Sequence, residues 1–311
     1  MQTTVLEPVS LTGEQSAISK ALAASLREFG FAMVSDHGID QGLIARAWEM
    51  TAAFFALPLE TKMHYFIPGQ GGARGYTPFG TEIAKGAELH DLKEFWHVGR
   101  DLPPGHRLTR TMPPNVWPED VPGFRETFTR LYAAFDGAGA GILRYIAPSL
   151  SLAPDWFDDA IADGNSVLRL LHYPPIDHAP QGAIRAGAHE DINLITLLLG
   201  AEEAGLELLD RHGKWITVSP PPGALVVNIG DMLQRLTNHV MPSTSHRVRN
   251  PEGSRAGFSR YSMPFFLHPR SDFVISSLPG CVTADNPDRY PRAITANEFL
   301  EERLREIGLK G

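Results

Sequence analysis

The 311-residue chain is short of cysteine, of positive charge and of long apolar runs, and each shortage excludes something. A single cysteine, Cys281, rules out an internal disulfide, and with no cysteine neighbour its thiol reads as buried and inert. A net charge of -8 leaves no basic footprint for nucleic acid, and Arg247-Val248-Arg249 is too small a cluster to supply one. No apolar run reaches the length of a membrane span, and the start, MQTTVLEPVSLTGEQ, lacks the basic and apolar regions of a signal peptide. A cytoplasmic protein without a membrane or nucleic-acid partner is therefore expected. Internal repeats and low-complexity tracts are missing too. The stretch 68-PGQGGARGYTPFG-80 is glycine-rich but lacks the GxxxxGK[ST] pattern of a phosphate loop, which leaves a plain surface loop or a loop bordering a site. What remains, 43% apolar and 21% charged, is the composition of a globular protein with a substantial core.

Along the chain the pattern changes near residue 150. Residues 12–29 place Ile18, Leu22 and Leu26 at helical spacing, with Thr12 as a candidate cap and Gly30 as the stop. A strand at 31–35 follows, then a helix over about 40–56 with Ile44, Trp48, Phe54 and Phe55 on its apolar side and Pro58 beyond its end. Residues 117–146, carrying Phe128, Leu131, Phe135 and Leu143, predict another helix. From Val167 to about Ile275 come short strands separated by turns: VLRLLHYP, INLITLLL, LELLD, WITVSP, ALVVNIG, HRVRN and GFSRYSMPFFL. That rhythm indicates a β-sandwich or barrel. An amphipathic helix over 296–309 closes the chain. The reading is a mainly β, α+β protein with flanking helices, divided into a mixed helical region 1–150 and a β core 151–311 within one compact unit.

The chemistry starts at 188-AHEDINLITLLLG-200, where a histidine and two acids precede a run of branched apolar residues. If these residues are strand, His189 and Asp191 share one face and Glu190 takes the other. One imidazole and one carboxylate at that spacing can reach a single ion, though a polar strand end in solvent reads the same way. A second histidine would complete a two-histidine, one-carboxylate set, which leaves coordination positions open and suits non-haem Fe(II). The candidates are His212, His239, His246 and His268. His246, in the polar-alternating strand 243-STSHRVRN-250, fits the pattern best. If NPEGS turns the chain back, this strand pairs with GFSRYSMPFF and brings His246 opposite Ser259 or Arg260. Arg260 and Ser262 then share a face. An arginine inside a barrel requires an anion, and its donor fork fits a carboxylate; a surface arginine paired with a nearby glutamate is the alternative.

At these residues the sequence resembles the isopenicillin N synthase-like branch of the Fe(II)/2-oxoglutarate-dependent oxygenases. The resemblance runs through 29-FGFAMVSDHGI-39, 54-FFALPLETK-62, 189-HEDINLITLLL-199, 205-GLELLDRHGKWITVSP-220, 224-ALVVNIGDMLQRLTN-238, 246-HRV-248 and 260-RYS-262, in the family's order. It implies a double-stranded β-helix, the cupin-like jelly roll. His189, Asp191 and His246 match the iron ligands. Arg260 and Ser262 match the pair that binds the distal carboxylate of the co-substrate 2-oxoglutarate, and Tyr173 matches a tyrosine on the same carboxylate. The implied reaction consumes 2-oxoglutarate and O2, releases succinate and CO2, and oxidises, most often hydroxylates, a small molecule. Two departures stand out: Leu171 replaces a frequent asparagine, with Arg169 on the same face as a compensating donor or a structural ion pair, and Thr237-Asn238-His239 replaces a Ser-Asn-Gly signature. His37, Gly38, Asn228 and Asp231 are expected to serve the fold and its turns. Trp215, Phe265 and Phe266 are expected to pack. The segment 73–100, ending in DLKEFWHVG, is the candidate substrate wall, with Tyr76, Phe79, Glu82 and Phe95 as lining residues or as packing of the N-terminal region onto the barrel. A keto-acid-independent oxidase of the same fold, a non-catalytic metal-binding barrel and a zinc hydrolase are the competing readings.

Overall fold

Period-two alternation decides the architecture. The computed structural model describes residues 6–70, 72–82, 90–175, 184–200, 205–250 and 257–306. Its strands are β1 (Pro8–Ser10), β2 (Phe31–Ser35), β3 (Gly75–Thr77), β4 (Glu94–Gly99), β5 (Val167–Tyr173), β6 (Ala186–His189), β7 (Ile195–Leu199), β8 (Leu206–Leu209), β9 (Trp215–Thr217), β10 (Leu225–Ile229), β11 (His246–Val248), β12 (Arg260–Leu267), β13 (Val274–Ile275) and β14 (Ile294–Thr295). The α-helices are α1 (Gln15–Phe29), α2 (Gln41–Phe55), α3 (Leu59–Met63), α4 (Phe124–Ile146), α5 (Asp158–Ile161), α6 (Asp231–Leu236) and α7 (Ala296–Glu306).

Eight strands form one sheet in the order β1-β2-β10-β7-β12-β5-β4-β3, and four form a second, β6-β11-β8-β9. Apart from the parallel β1–β2 pair, neighbours in both sheets run antiparallel. This is the jelly-roll arrangement, with N-terminal strands extending the large sheet on both sides. The large sheet is covered on both faces, so β10 is buried at every residue and reads LVVNI with almost no polar alternation. Its outer face (Ile195, Leu197, Leu225, Val227, Phe265, Leu267) joins Leu22, Leu26, Phe128 and Phe135 of the helices in the main core. Phe265 and Phe135 stack with centroids 5.3 Å apart. The inner face meets the small sheet through Phe31, Met33 and Val226 against Leu206 and Leu208, and through Phe95, Leu171 and Tyr173 against Ala186 and Val248.

Several expectations need correction. Helix α1 begins at Gln15 behind an extended Glu14 with no side-chain cap, so Thr12 does not cap it. Helix α4 starts at Phe124, after the left-handed Gly123, rather than near 117. His189, Glu190 and Asp191 are not one strand: β6 ends at His189, and the chain crosses from the small sheet to the large one before β7. Nor do β11 and β12 form a hairpin. His246 pairs with His189 and Leu208, whereas Arg260 pairs with Tyr173 in the other sheet; the expected turn at 251–254 and the end of the tail at 307–309 lie outside the described residues. The Thr237–His239 signature is a turn, with Asn238 and His239 at φ 47° and 66°. The Asn238 amide donates to the Asn286 and Pro287 carbonyls and its oxygen accepts from the Arg289 N–H. His37 likewise serves the fold, reaching the Gly223 carbonyl at 2.8 Å. Cys281 is buried. Among the described residues, no helix is long and apolar enough to cross a membrane.

Gly30 closes α1 in the left-handed region at φ 67°, and a Cβ there would lie 2.5 Å from the Pro242 carbonyl oxygen. Gly30→Ala is expected to destabilise the fold by about 2–3 kcal/mol, read as a lower urea midpoint at unchanged slope.

Candidate active site

The cross-strand register of β6 and β11 makes His189 and His246 partners, which sets their rings 4.4 Å apart between centroids. Asp191, on the crossover to β7, brings Oδ1 to 3.9 Å from the Nε2 of each histidine. One ligating atom from each of the three residues lies within 4.8 Å of the others, and no other such cluster of His, Cys, Asp or Glu occurs among the described residues. Of the remaining histidine candidates, His212 is exposed, His239 stacks on Tyr290, and His268 is buried apart from the cluster.

The surroundings aim these groups inward. Nδ1 of His189 lies 2.7 Å from the Gly187 carbonyl and Nδ1 of His246 lies 3.1 Å from that of Thr244. A carbonyl can only accept, so each Nδ1 carries the proton and each Nε2 lone pair faces the cluster. Oδ2 of Asp191 accepts from the Thr196 hydroxyl at 2.5 Å and the Asn228 amide at 2.8 Å, which leaves Oδ1 for a ligand. Burial by itself would raise the Asp191 pKa; the two histidines, Asn228 and Thr196 outweigh it and hold the carboxyl ionised below its ordinary value. Desolvation, then repulsion from His246, pushes His189 down. Its side chain keeps 38% exposure, so solvent moderates that shift, but its direction leaves the imidazole neutral at pH 7. Two imidazoles with Nε2 turned inward and one ionised carboxylate are a donor set that fits a divalent ion with coordination positions to spare.

A cavity of about 620 Å³, open mouth included, runs from this cluster along the inner face of the large sheet. Alternation puts Arg169, Leu171 and Tyr173 of β5, Arg260, Ser262, Pro264 and Phe266 of β12, Thr196 and Leu198 of β7, and Asn228 of β10 on its wall. Arg260 is 4% exposed, packs 5.1 Å over the Tyr173 ring, and has no hydrogen-bond partner at Nε or Nη1 among the described residues. A buried guanidinium without an acceptor costs several kcal/mol, so the site is shaped for an anion. Ser262, 2% exposed on the same face, adds a hydroxyl.

The other expected residues are distributed differently. Arg169 reaches the cavity, but its fork is held by Glu82 at 3.1 and 3.3 Å and its Nε–H donates to His97 at 2.6 Å. Tyr76 does not line the cavity: it is fully buried and gives its hydroxyl proton to Glu94. Phe79 is 48% exposed, and Phe95 packs behind the wall under the Arg169 guanidinium at 4.2 Å. Residues 83–89 of the candidate wall lie outside the described residues. Phe266, expected to pack, lines the cavity, whereas Phe265 is core and Trp215 lies under Arg247. Asn228, assigned to a turn, holds Asp191 instead; Asp231 does serve the turn, donating its N–H to the Asp191 carbonyl and pairing with Arg303. Lys93, Thr196 and Phe31 also line the site without having been singled out. A lone asparagine in LVVNI and a lysine directly ahead of a strand buried along its whole length were the available signals.

The comparisons agree with this geometry. Residues 5–120 match the family described as non-haem dioxygenase in morphine synthesis N-terminal, and residues 164–269 match the 2OG-Fe(II) oxygenase superfamily. The chain is 35% identical to the 2-oxoglutarate-Fe(II) type oxidoreductase hxnY of Emericella nidulans, over 94% of this chain and 87% of that one. It is 33% identical to the proline hydroxylase buaE of Petromyces alliaceus, over 94% of each. Among solved structures it is similar to a 2OG-Fe(II) oxygenase family protein from Caulobacter crescentus (56% identity, TM-score 0.92, 98% of this chain and 100% of that one). It is also similar to a full-length Neurospora crassa protein solved in complex with alpha-KG (28% identity, TM-score 0.87, 98% and 97%). The chain belongs to the 2-oxoglutarate-Fe(II) oxygenase superfamily. It is a non-haem Fe(II)- and 2-oxoglutarate-dependent dioxygenase that acts on a small molecule.

Because Asn228 fixes the Asp191 carboxylate of the candidate metal cluster, Asn228→Ala is expected to weaken Fe(II) binding by about 10–100-fold while the fold is retained, as measured by anaerobic metal titration beside a circular-dichroism melt.

Proposed function

We propose that His189, Asp191 and His246 hold the ferrous ion, that Arg260, Ser262 and Tyr173 hold the distal carboxylate of 2-oxoglutarate, and that the enzyme hydroxylates a small substrate entering at the cavity mouth. The observation that carries this reading is the pair of unpartnered nitrogens on buried Arg260, on the same cavity wall as the Asp-His-His cluster. When bound, the metal and keto acid supply O2 activation coupled to decarboxylation. The chain's own part is to position and protect. Arg260 fixes one end of the keto acid and so orients the other toward the metal. Thr196 and Asn228 stop Asp191 from rotating, and Phe31, Leu198, Leu206 and Phe266 keep the space dry. Leu171 offers no donor and the Arg169 fork is already taken by Glu82, so the near end of the keto acid depends on the metal. We assign residues 1–150 and 151–311 to one compact unit, since β1–β4 complete the large sheet around β5, β7, β10 and β12, and we place the enzyme in the cytoplasm on the grounds of its single cysteine.

Anaerobic addition of Fe(II) and 2-oxoglutarate is expected to give a weak visible charge-transfer band, and air should then yield succinate. Failure to form the band at saturating Fe(II) would overturn this assignment in favour of a keto-acid-independent oxidase or a zinc enzyme. Arg260→Ala is expected to weaken 2-oxoglutarate binding by about 100-fold with Fe(II) affinity kept; an equal loss of both would make Arg260 structural. Asp191→Ala should abolish succinate formation, and full activity in that variant would remove Asp191 from the ligand set.

A further inference from the structure

One part of the cavity wall is charged yet holds neither the metal nor the distal end of the keto acid. Lys93, 8% exposed, lines the cavity; its ammonium lies 2.9 Å from Glu82 and 2.8 Å from Asp91. Glu82 is shared, because its carboxylate also takes the fork of Arg169. Asp91 is fixed in turn by the Gly187 N–H on its other oxygen. His97 accepts the Nε–H of Arg169 and is held neutral: burial, then Arg169, pushes its pKa well down. The four ions Lys93, Arg169, Glu82 and Asp91 therefore sum to zero. Their hydrogen bonds do not exhaust the donors. Lys93 has a third ammonium proton, and Arg169 has N–H groups beyond those given to His97 and Glu82, without acceptors among the described residues. The guanidinium is flattened between Phe95 at 4.2 Å and Phe266 at 5.4 Å, which limits how far it can swing to meet a ligand.

We propose that Lys93 and Arg169, neutralised from behind by Glu82 and Asp91, form the selectivity wall for the primary substrate, and that this substrate is an uncharged molecule presenting a carbonyl oxygen, such as a lactam, amide or imide. The inference rests on the assignment of Arg260 to the co-substrate. That assignment uses the one cavity cation with no carboxylate beside it among the described residues. A second carboxylate brought in with the substrate would have no counter-charge left, and an ammonium would face Lys93 and Arg169; either would be desolvated without compensation. A carbonyl accepts the spare N–H protons and adds no charge. The remaining lining of Phe31, Leu198, Pro264 and Phe266 suits an apolar ring or chain behind it.

The test titrates matched probes into the anaerobic Fe(II)- and 2-oxoglutarate-loaded enzyme by calorimetry: pyrrolidinone, pyrrolidine and cyclopentanecarboxylate, then piperidinone, piperidine and cyclohexanecarboxylate. The lactam of each set is expected to bind about tenfold or more tighter than its charged partners. Glu82→Gln leaves the wall positive and should shift preference toward the carboxylates by about tenfold; Lys93→Met leaves it negative and should shift preference equally toward the amines. Tightest native binding of a charged probe, no binding of either lactam, or a preference order unmoved in both variants would overturn the proposal. If one variant fails to fold, the native series and the other variant still decide. The charge-transfer band of the loaded enzyme, recorded first, separates failure here from failure of the Arg260 assignment.

Discussion

The Asp191 carboxylate ties the two sheets of this protein together. One oxygen is held from the large sheet by Thr196 and Asn228; the other is turned toward two histidines of the small sheet. A buried carboxylate is tolerated only when every lone pair is spoken for, so the surrounding strands must keep their register to keep it ionised. A slip of one residue in β7 or β10 would turn Thr196 or Asn228 outward into the helices and leave the charge without donors. The demands of the site and of the fold thus fall on the same strands. The local sequences reflect this, with single polar residues set into otherwise apolar runs.

The same alternation divides β5 and β12 between two tasks. Leu168, Leu170, Phe265 and Leu267 face the helices and build the core; Arg169, Tyr173, Arg260 and Ser262 face the cavity and supply its chemistry. Two arginines come in this way to face one space in different states. Arg169 is matched by Glu82 and fixed by His97 and two aromatic rings, whereas Arg260 has no carboxylate partner among the described residues. A matched cation shapes a wall; an unmatched one waits for an anion. On the proposed assignment, that contrast separates the co-substrate end of the cavity from the substrate end.

The strand rhythm after residue 167 was legible in the sequence because short apolar runs bounded by turn residues have few other readings. Helices α1 and α2 were legible from apolar residues at helical spacing, down to the left-handed Gly30 that stops the first. The family motifs marked His189, Asp191, His246, Arg260 and Ser262 as candidates, and the structure places them on one cavity. Partners were harder. A strand's sequence states which faces it has, not which strand lies beside it, so β11 and β12 looked like a hairpin when they belong to opposite sheets. Asn228 looked like a turn residue because its target is 37 positions away in the chain. Tyr76 looked like a pocket residue because an aromatic near a glycine-rich loop reads the same whether it faces a cavity or, as here, a buried carboxylate.

By itself, then, the sequence determined a mainly β chain, and its resemblance to the family marked out a candidate ligand set and a candidate arginine for a keto acid. Periodicity and short motifs are local properties, readable before any strand has a partner. Tertiary structure alone decided that Arg260 is unmatched while Arg169 is matched, that Lys93 reaches the cavity, and that Thr196 and Asn228 meet at one oxygen. Each of these is a distance between residues far apart in the chain, and such distances exist only once the two sheets have closed on each other.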